Sequence, residues 1–250
     1  MIRTLYRHRS GTILTDLAQD QLAGAIRDNQ ARIWIDLMDP TPDESNLVLR
    51  QLYHFHPLAV EDAISDSHVP KVDDYGNYLY LVFHTVTLGD ERMDIHTDEV
   101  DVFLGANYLI TLHDQPRTSI DKLWTPEQHQ QNGLSRGPAF LLYELLDRQI
   151  DTYTPLIDRF EEQLELLGDQ IFRSQPKRHE EERVLNDILT AKSSALRLSR
   201  ILTPQRELLY KLSHNNYSTI PSDARIYFQD AYDCQVLKYV DGKWGIVDIN

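Results

Sequence analysis

The sequence predicts an α+β fold in which a mixed or antiparallel sheet, sandwiched by helices, is followed by a long antiparallel helical hairpin. Two observations predict it: segments typical of strands lie before residue 115, and apolar residues recur at helical spacing from residue 138 onward. Strands that precede helices indicate this class, because the two would alternate in a doubly wound parallel sheet. We therefore expect an α/β domain over residues 1–137 and a helical domain over residues 138–250.

The first half of the chain contains four segments typical of strands. Residues 31–37 (ARIWIDL) alternate between apolar and polar side chains until an Asp-Pro-Thr-Pro sequence ends the segment. Residues 77–88 form the longest of the four, and residues 100–104 and 107–112 follow it after short connections. We expect the last three segments to pair as consecutive antiparallel strands.

Two short helices are expected between the first and second of these strands. Residues 43–55 carry an apolar stripe of leucines, and residues 57–64 form a second apolar segment that begins with a proline. Proline is common in the first turn of a helix, where its missing N–H costs nothing.

Longer helices are expected in the second half. From Leu142 to Ile171 the apolar residues recur in steps of four and three, a heptad pattern sustained for about four heptads. This pattern predicts one long helix, bent at Pro155, because proline lacks the N–H that the helix needs. A turn is expected at residues 174–177.

The chain after that turn is expected to return as a second long helix. Its apolar face runs over residues 185–212, and Pro204 is expected to interrupt it. Two long helices joined by a short turn make an antiparallel hairpin. A third helix is expected to begin within residues 226–239.

Composition and motifs narrow the function. The chain has 250 residues, 39 acidic against 25 basic, and a net charge of −14. Nucleic-acid binding requires clustered Lys and Arg, so we expect no nucleic-acid partner, whereas cations are compatible with this charge. The motifs GxxxxGK[ST], GxGxxG, GxSxG and HExxH are absent, so we expect no enzyme of those classes. No run of 18 apolar residues is present, so the chain as written is expected to be soluble.

Acidic residues are the best candidates for a site. Six of them crowd the stretch between two predicted strands: Asp90, Glu91, Asp94, Asp98, Glu99 and Asp101. Asp230 and Asp233 are three residues apart on a predicted helix and project from one face. Carboxylate oxygens suit hard cations such as Mg²⁺, which often keeps its waters while one or two carboxylates hold it. A solvated acidic surface is the alternative interpretation of both groups.

Four ordered blocks between residues 30 and 233 carry a family resemblance. They are residues 56–63 (HPLAVEDA) with 70–84 (PKVDDYGNYLYLVFH), residues 140–147 (FLLYELLD) with 151–155 (DTYTP), residues 198–207 (LSRILTPQRE), and residues 226–233 (IYFQDAYD). Together they resemble the N-terminal domain of the CorA family of magnesium and cobalt transporters. The resemblance implies that the chain is not an enzyme. It implies instead a cytoplasmic domain, on the inner side of the cell membrane, that senses divalent cations.

The resemblance also implies a site and an assembly. In CorA relatives the domains form a pentamer, and cations bind between subunits. Carried over, Asp230, at the start of the stalk helix, is the ligand on one subunit, with Asp233 beside it. Asp90, or an acidic neighbour within residues 90–101, is the ligand on the next subunit. Mg²⁺ is the expected ion, with Co²⁺, or Zn²⁺ as in a zinc-transporting branch, as the alternatives.

The resemblance ends after Asp233. The family continues through a long stalk helix and two membrane spans with a Gly-Met-Asn signature, and this chain contains no such sequence. We therefore expect the chain as written to lack a pore, to reach a membrane only through a missing part, and to be a monomer or weak oligomer. The alternative function is a soluble cation-binding or scaffold protein that kept the fold without transport.

Overall fold

The computed structural model describes residues 1–28, 30–65, 68–89, 93–116, 118–173, 178–234, 237–240 and 243–246. The strands of the main sheet are β1 (Ile2–His8), β2 (Ile13–Thr15), β3 (Ala31–Met38), β4 (Lys71–Asp74), β5 (Tyr78–Leu88), β6 (Ile95–Gly105) and β7 (Tyr108–His113). Their spatial order is β2-β1-β3-β7-β6-β5-β4. The sheet is mixed, because β3 and β7 pair in parallel while the other neighbours are antiparallel.

The predicted run of three consecutive antiparallel strands is confirmed as β5, β6 and β7. Strand β6 is longer than expected: it begins at Ile95, and its first five residues pair with the end of β5. The acidic stretch that the sequence suggested as a loop therefore lies partly within a strand, because the backbone from Ile95 onward is held by ladder hydrogen bonds.

Helices cover the sheet on both faces. They are α1 (Gln19–Arg27), α2 (Pro42–Ser45), α3 (Pro57–Ile64), α4 (Thr118–Leu123), α5 (Pro126–Gln131), α6 (Pro138–Ile150), α7 (Tyr153–Arg173), α8 (Arg178–His214) and α9 (Ser222–Cys234). A π-helical segment (Asn46–Leu52) continues α2, and a 3-10 turn (Gly133–Ser135) precedes α6. The predicted α+β class, with a sheet sandwiched by helices and long helices after it, is confirmed.

Strand β5 shows how one sheet serves two cores. Leu79, Leu81 and Phe83 belong to the core shared with the long helices, whereas Tyr80 and Val82 belong to the core under the helices of the first half. Successive side chains of a strand point to opposite faces, so a strand covered on both sides is apolar throughout. This explains the uninterrupted apolar run in the sequence.

The long helix predicted over residues 142–171 is two helices. Helix α6 ends at Ile150 and α7 begins at Tyr153, so the expected bend is a break. Pro155 lies in the first turn of α7, where its missing N–H costs no hydrogen bond. A continuous helix would have lost the bond from residue 155 to the carbonyl of Asp151.

The predicted interruption at Pro204 is wrong. Helix α8 runs through this proline without a break. Buried side chains lie on both sides of it, including Leu202 and Leu208, and packing of this face offsets the loss of about 3 kcal/mol that an interior proline costs. The turn predicted at residues 174–177 lies outside the described residues.

The last helix differs from its prediction at both ends. Helix α9 begins at Ser222 rather than Ile226 and ends at Cys234. Residues 237–240 form β8, which pairs with β9 (Lys243–Ile246) in a separate two-stranded sheet. An Asp-Gly sequence between two apolar segments is a typical hairpin signal, and it outweighs the helical pattern there.

The predicted boundary between residues 137 and 138 coincides with the start of α6. The larger core nevertheless combines residues from both sides of it, such as Trp34 and Leu79 with Leu141 and Phe228. The division into two domains stays a prediction.

Candidate functional site

Helix α9 is fixed by one apolar face. Ala224, Phe228 and Ala231 are fully buried, and their spacing of four and three residues puts them on one side of the helix. Tyr227 packs against Phe140 of α6, with ring centroids 5.6 Å apart in an edge-to-face geometry. Two of the family-like sequence blocks therefore meet here, and their contact sets the orientation of α9.

Asp230 and Asp233 lie on the exposed side of α9. Asp233 accepts a hydrogen bond of 2.9 Å from the Nε2 of Gln229. Asp230 lies close enough to α6 for its charge to act on Asp147. Because its buried face packs against α6, α9 places Asp230 near Asp147, at the C-terminal end of α6.

The surroundings of Asp147 are electrostatically unfavourable for its charged form. Partial burial raises the pKa of Asp147, and the negative charges of Asp151 and Asp230 raise it further. A cation near these three residues would remove the repulsion between them. Nevertheless, within the described residues there is no group of three or more His, Cys, Asp or Glu side chains placed to hold a metal ion by themselves.

Asp90, the other predicted ligand, lies outside the described residues, as does Glu91. Asp94 is described, and its Oδ2 lies 3.3 Å from the Nε2 of His96. The structure therefore gives no account of the Asp90 side of the predicted site.

Two other acids of the same stretch already have partners within the chain. Glu99 accepts a 2.5 Å hydrogen bond from the backbone N–H of His68 and lies 3.2 Å from its Nδ1. Asp101 is 4% exposed and accepts a 2.5 Å hydrogen bond from the hydroxyl of Tyr80. Both belong to β6, which begins earlier than the strand predicted at residues 100–104.

A buried charge network is the main polar feature that the sequence analysis missed. Asp36 is fully buried on β3; its Oδ2 lies 2.5 Å from an Nη of Arg3, and its Oδ1 lies 3.0 Å from the Nε2 of His113. The hydroxyl of Thr111 also donates to Oδ1, at 2.6 Å. The one signal available was an aspartate inside an otherwise apolar strand, which requires a partner when it is buried.

The electrostatic balance of Asp36 is opposite to that of Asp147. Burial acts to raise the pKa of Asp36, but the hydrogen bond from His113 and the charges of His113 and Arg3 outweigh it and hold the pKa below its ordinary value. Arg3 also bridges to Asp121 at 3.0 Å. This network is compensated from within the chain.

The block at residues 56–84 has a packing role of its own. His56 caps α3 by accepting a hydrogen bond from the backbone of Leu58. The Nζ of Lys71 lies 2.6 Å from Asp62 on α3 and 2.9 Å from Asp73 on β4. These contacts attach α3 to the edge of the sheet.

None of the helices in the described part of the chain is long and apolar enough to cross a membrane.

Comparison with known proteins gives one family. The pattern of the family described as "CorA-like Mg2+ transporter protein" matches residues 29–236. A Bacillus subtilis protein named "Putative metal ion transporter YfjQ" is 30% identical over 200 residues, which cover 80% of this chain and 60% of the relative. The Thermotoga maritima cobalt/magnesium transport protein CorA is 22% identical over 208 residues, 83% of this chain and 58% of the relative. The chain thus spans about three fifths of the length of these relatives.

Solved structures share the fold. The soluble domain of CorA from Methanocaldococcus jannaschii superposes with a TM-score of 0.70 at 19% identity, over 92% of this chain and 86% of that one. The cytoplasmic domain of ZntB from Vibrio parahaemolyticus superposes with a TM-score of 0.61 at 14% identity, over 93% of this chain and 87% of that one. At these identities the likeness establishes the architecture alone.

Proposed function

Because the chain belongs to the CorA-like Mg²⁺ transporter protein family, we propose that it is the cation-sensing domain of a divalent-cation transporter. In this proposal the domain lies on the cytoplasmic side of the cell membrane. In this proposal the transported ion passes through a part of the protein other than the described residues.

The observation that carries the proposal is the acidic surface where α6 meets α9. Asp230 is exposed, and its charge together with that of Asp151 opposes ionisation of Asp147. A divalent cation held near these carboxylates would offset their repulsion. The binding free energy of the cation would therefore depend on the number of carboxylates that lie near it.

The proposed site is completed by a second subunit. One chain supplies Asp230, with Asp233 beside it, and the neighbour supplies Asp90 or an acidic residue near it. This division agrees with the absence of a three-ligand group among the described residues of a single chain. A cation bound between subunits would favour the closed assembly, a pentamer in CorA relatives, and its release would favour an open one. This is a population shift driven by unequal affinity for two states.

Mg²⁺ is the ion that these side chains suit best. Asp230 and Asp233 offer only oxygen ligands, which Mg²⁺ and Ca²⁺ prefer, whereas zinc sites are built mainly from His and Cys. Two carboxylates with several retained waters give weak binding, on the order of millimolar, which allows release at cellular concentrations.

Protection from proteolysis by Mg²⁺ tests the proposal. The chain would be joined to the remaining C-terminal part of the Thermotoga maritima relative, and trypsin digestion followed with and without MgCl₂ at matched ionic strength. A bound ion stabilises the state that binds it, so Mg²⁺ should slow cleavage in the parent. Asp230→Ala should remove most of that protection.

Asp223→Ala is the matched control, because Asp223 is also an exposed aspartate of α9. It should leave the protection unchanged. Equal protection in the parent and in Asp230→Ala would show that these carboxylates are ordinary solvated groups. If Mg²⁺ protects the protein from trypsin but the protein transports no divalent ion, the alternative function is favoured, a cation-binding or scaffold protein.

A further inference from the structure

A cavity of about 420 Å³ lies on the face of the sheet opposite the long helices. Its walls come from the end of β7, from β6, from the π-helical segment and from α3. Its volume falls in the range of about 300–1,000 Å³ that is usual for small-molecule sites. It is separate from the acidic surface of α6 and α9.

Asp101 is the buried carboxylate among the described residues that line this cavity. Only 4% of the residue is exposed, yet it lines the cavity from β6. Its Oδ1 accepts the hydroxyl of Tyr80 at 2.5 Å, and in the described part of the chain no donor reaches Oδ2. Because Asp101 lines the cavity, Oδ2 is the oxygen left for a bound group. A buried carboxylate oxygen without a donor is costly unless something from outside pairs with it.

The charges around Asp101 favour a cation. Glu99 and Asp114 also line the cavity. Burial raises the pKa of Asp101 well above its ordinary value, and the charges of Glu99 and Asp114 act in the same direction, against the hydrogen bond from Tyr80. The positive charge of an ammonium group bound at Oδ2 would offset the negative charges around Asp101.

The positive groups nearby are engaged elsewhere or exposed. The ring of His113 lines the cavity, but its Nε2 lies 3.0 Å from Asp36 and its Nδ1 lies 2.6 Å from the carbonyl of Gln115. Lys71 is held between two other aspartates. Arg50 lines the cavity with an exposed side chain. Asp101 therefore lacks a buried positive partner among the described residues.

The lining also includes the polar side chains of Ser45, Asn46 and Ser65, but one part of it is apolar. Val60, Ala63, Ile64 and Leu112 line the cavity together with two prolines. This apolar part supplies no oxygen partner for a hydrated Mg²⁺ ion, but it can contact a hydrocarbon chain. A hydrocarbon chain that ends in an ammonium group suits both the carboxylates and the apolar wall.

We propose that this cavity binds a small aliphatic amine, with its ammonium group on Oδ2 of Asp101 and its hydrocarbon part against Ile64 and Leu112. The proposal is independent of the function proposed for α6 and α9, because it involves neither helix.

Calorimetric titration of the full chain with 1,4-diaminobutane tests it. Saturable one-to-one binding is expected, and butyrate, which has a body of similar length but the opposite charge, should not bind. Asp101→Asn keeps an acceptor for Tyr80 and removes the charge, so it should weaken binding at least about tenfold, the scale of one charge-assisted hydrogen bond.

The net charge of −14 will attract any diamine weakly, so a matched control is needed. Glu61→Gln removes one exposed carboxylate of α3 that does not line the cavity, and should change the affinity less than about twofold. If Asp101→Asn fails to fold, Ile64→Lys decides instead, since Ile64 is 56% exposed and tolerates substitution. An added positive charge there should also weaken binding. Equal affinity in the parent, Asp101→Asn and Ile64→Lys, or no saturable binding to the parent, would overturn the proposal.

Discussion

The buried network around Asp36 and the exposed surface around Asp230 both contain aspartates, but they differ in the source of the compensating charge. Asp36 is surrounded by Arg3, His113 and Thr111 of the same chain, and its pKa is lowered. Asp147 faces the like charges of Asp151 and Asp230, and its pKa is raised. Groups of the chain outweigh the cost of burial at Asp36, whereas at Asp147 the charge of Arg148 and the hydrogen bond from Tyr143 do not.

In our proposal this difference separates a structural role from a binding role. A carboxylate with a lowered pKa is already in a favourable environment, so a further cation gains little there. A carboxylate whose pKa is raised by neighbouring negative charges gains from any cation that arrives. The direction of the pKa shift is thus a better guide to a cation site than the number of acidic residues.

Removal of Asp36 should have the largest effect. Asp36→Ala removes the carboxylate beside the buried His113 and one of the two carboxylates that pair with Arg3, so the free energy of unfolding should fall by about 3–5 kcal/mol. Urea unfolding measures this, with Glu165→Ala on the exposed face of α7 as the control. A loss below about 1 kcal/mol would mean that the network is not a compensated unit.

Lys71→Met should have a smaller effect of the same kind. Lys71 pairs with Asp62 and Asp73, but all three side chains are about a third exposed or more, so water screens the pairs. The expected loss is below about 1 kcal/mol in urea unfolding. It should shrink further in high salt, whereas the loss from Asp36→Ala should not, because buried pairs are screened less.

Asp230→Asn should have the smallest effect on stability but a clear effect on titration. The folded-state pKa of Asp147 lies above its ordinary value of 3.8. The folded chain therefore binds this proton more tightly than the unfolded chain, and stability declines as the pH rises from 3.8 through the raised pKa. Removing the charge of Asp230 should lower the pKa of Asp147 and flatten this decline, as measured by side-chain carboxyl NMR. If the pKa of Asp147 is the same in the parent and in Asp230→Asn, the charge of Asp230 does not act on Asp147 and the contrast with Asp36 fails.

Local patterns predicted the local elements well. Helix α3 has the predicted bounds, because its proline start and short apolar segment are determined by neighbouring residues. The sequence did not predict the two prolines equally well: Pro155 coincides with a break and Pro204 does not, although buried side chains flank both. The strand β1 at the N-terminus had no pattern strong enough to predict it.

Site residues followed the same division. The spacing of Asp230 and Asp233 indicated a shared exposed face, and they lie on the exposed side of α9. The approach of Asp230 to Asp147, and the pairing of Arg3 with Asp36 and His113, depend on contacts between distant parts of the chain. A single sequence does not indicate which distant residues contact each other, so these contacts could not be predicted.

The most direct test of the account is the effect of Mg²⁺ on the titration of Asp147. The side-chain carboxyl NMR titration would be run in NaCl and in about 10 mM MgCl₂ at equal ionic strength, roughly ten times the expected dissociation constant. If a divalent cation supplies the missing charge, Mg²⁺ should lower the pKa of Asp147 and leave that of Asp36 unchanged, and Asp230→Asn should abolish the Mg²⁺ effect. An Asp147 pKa that is the same in both salts would contradict the account.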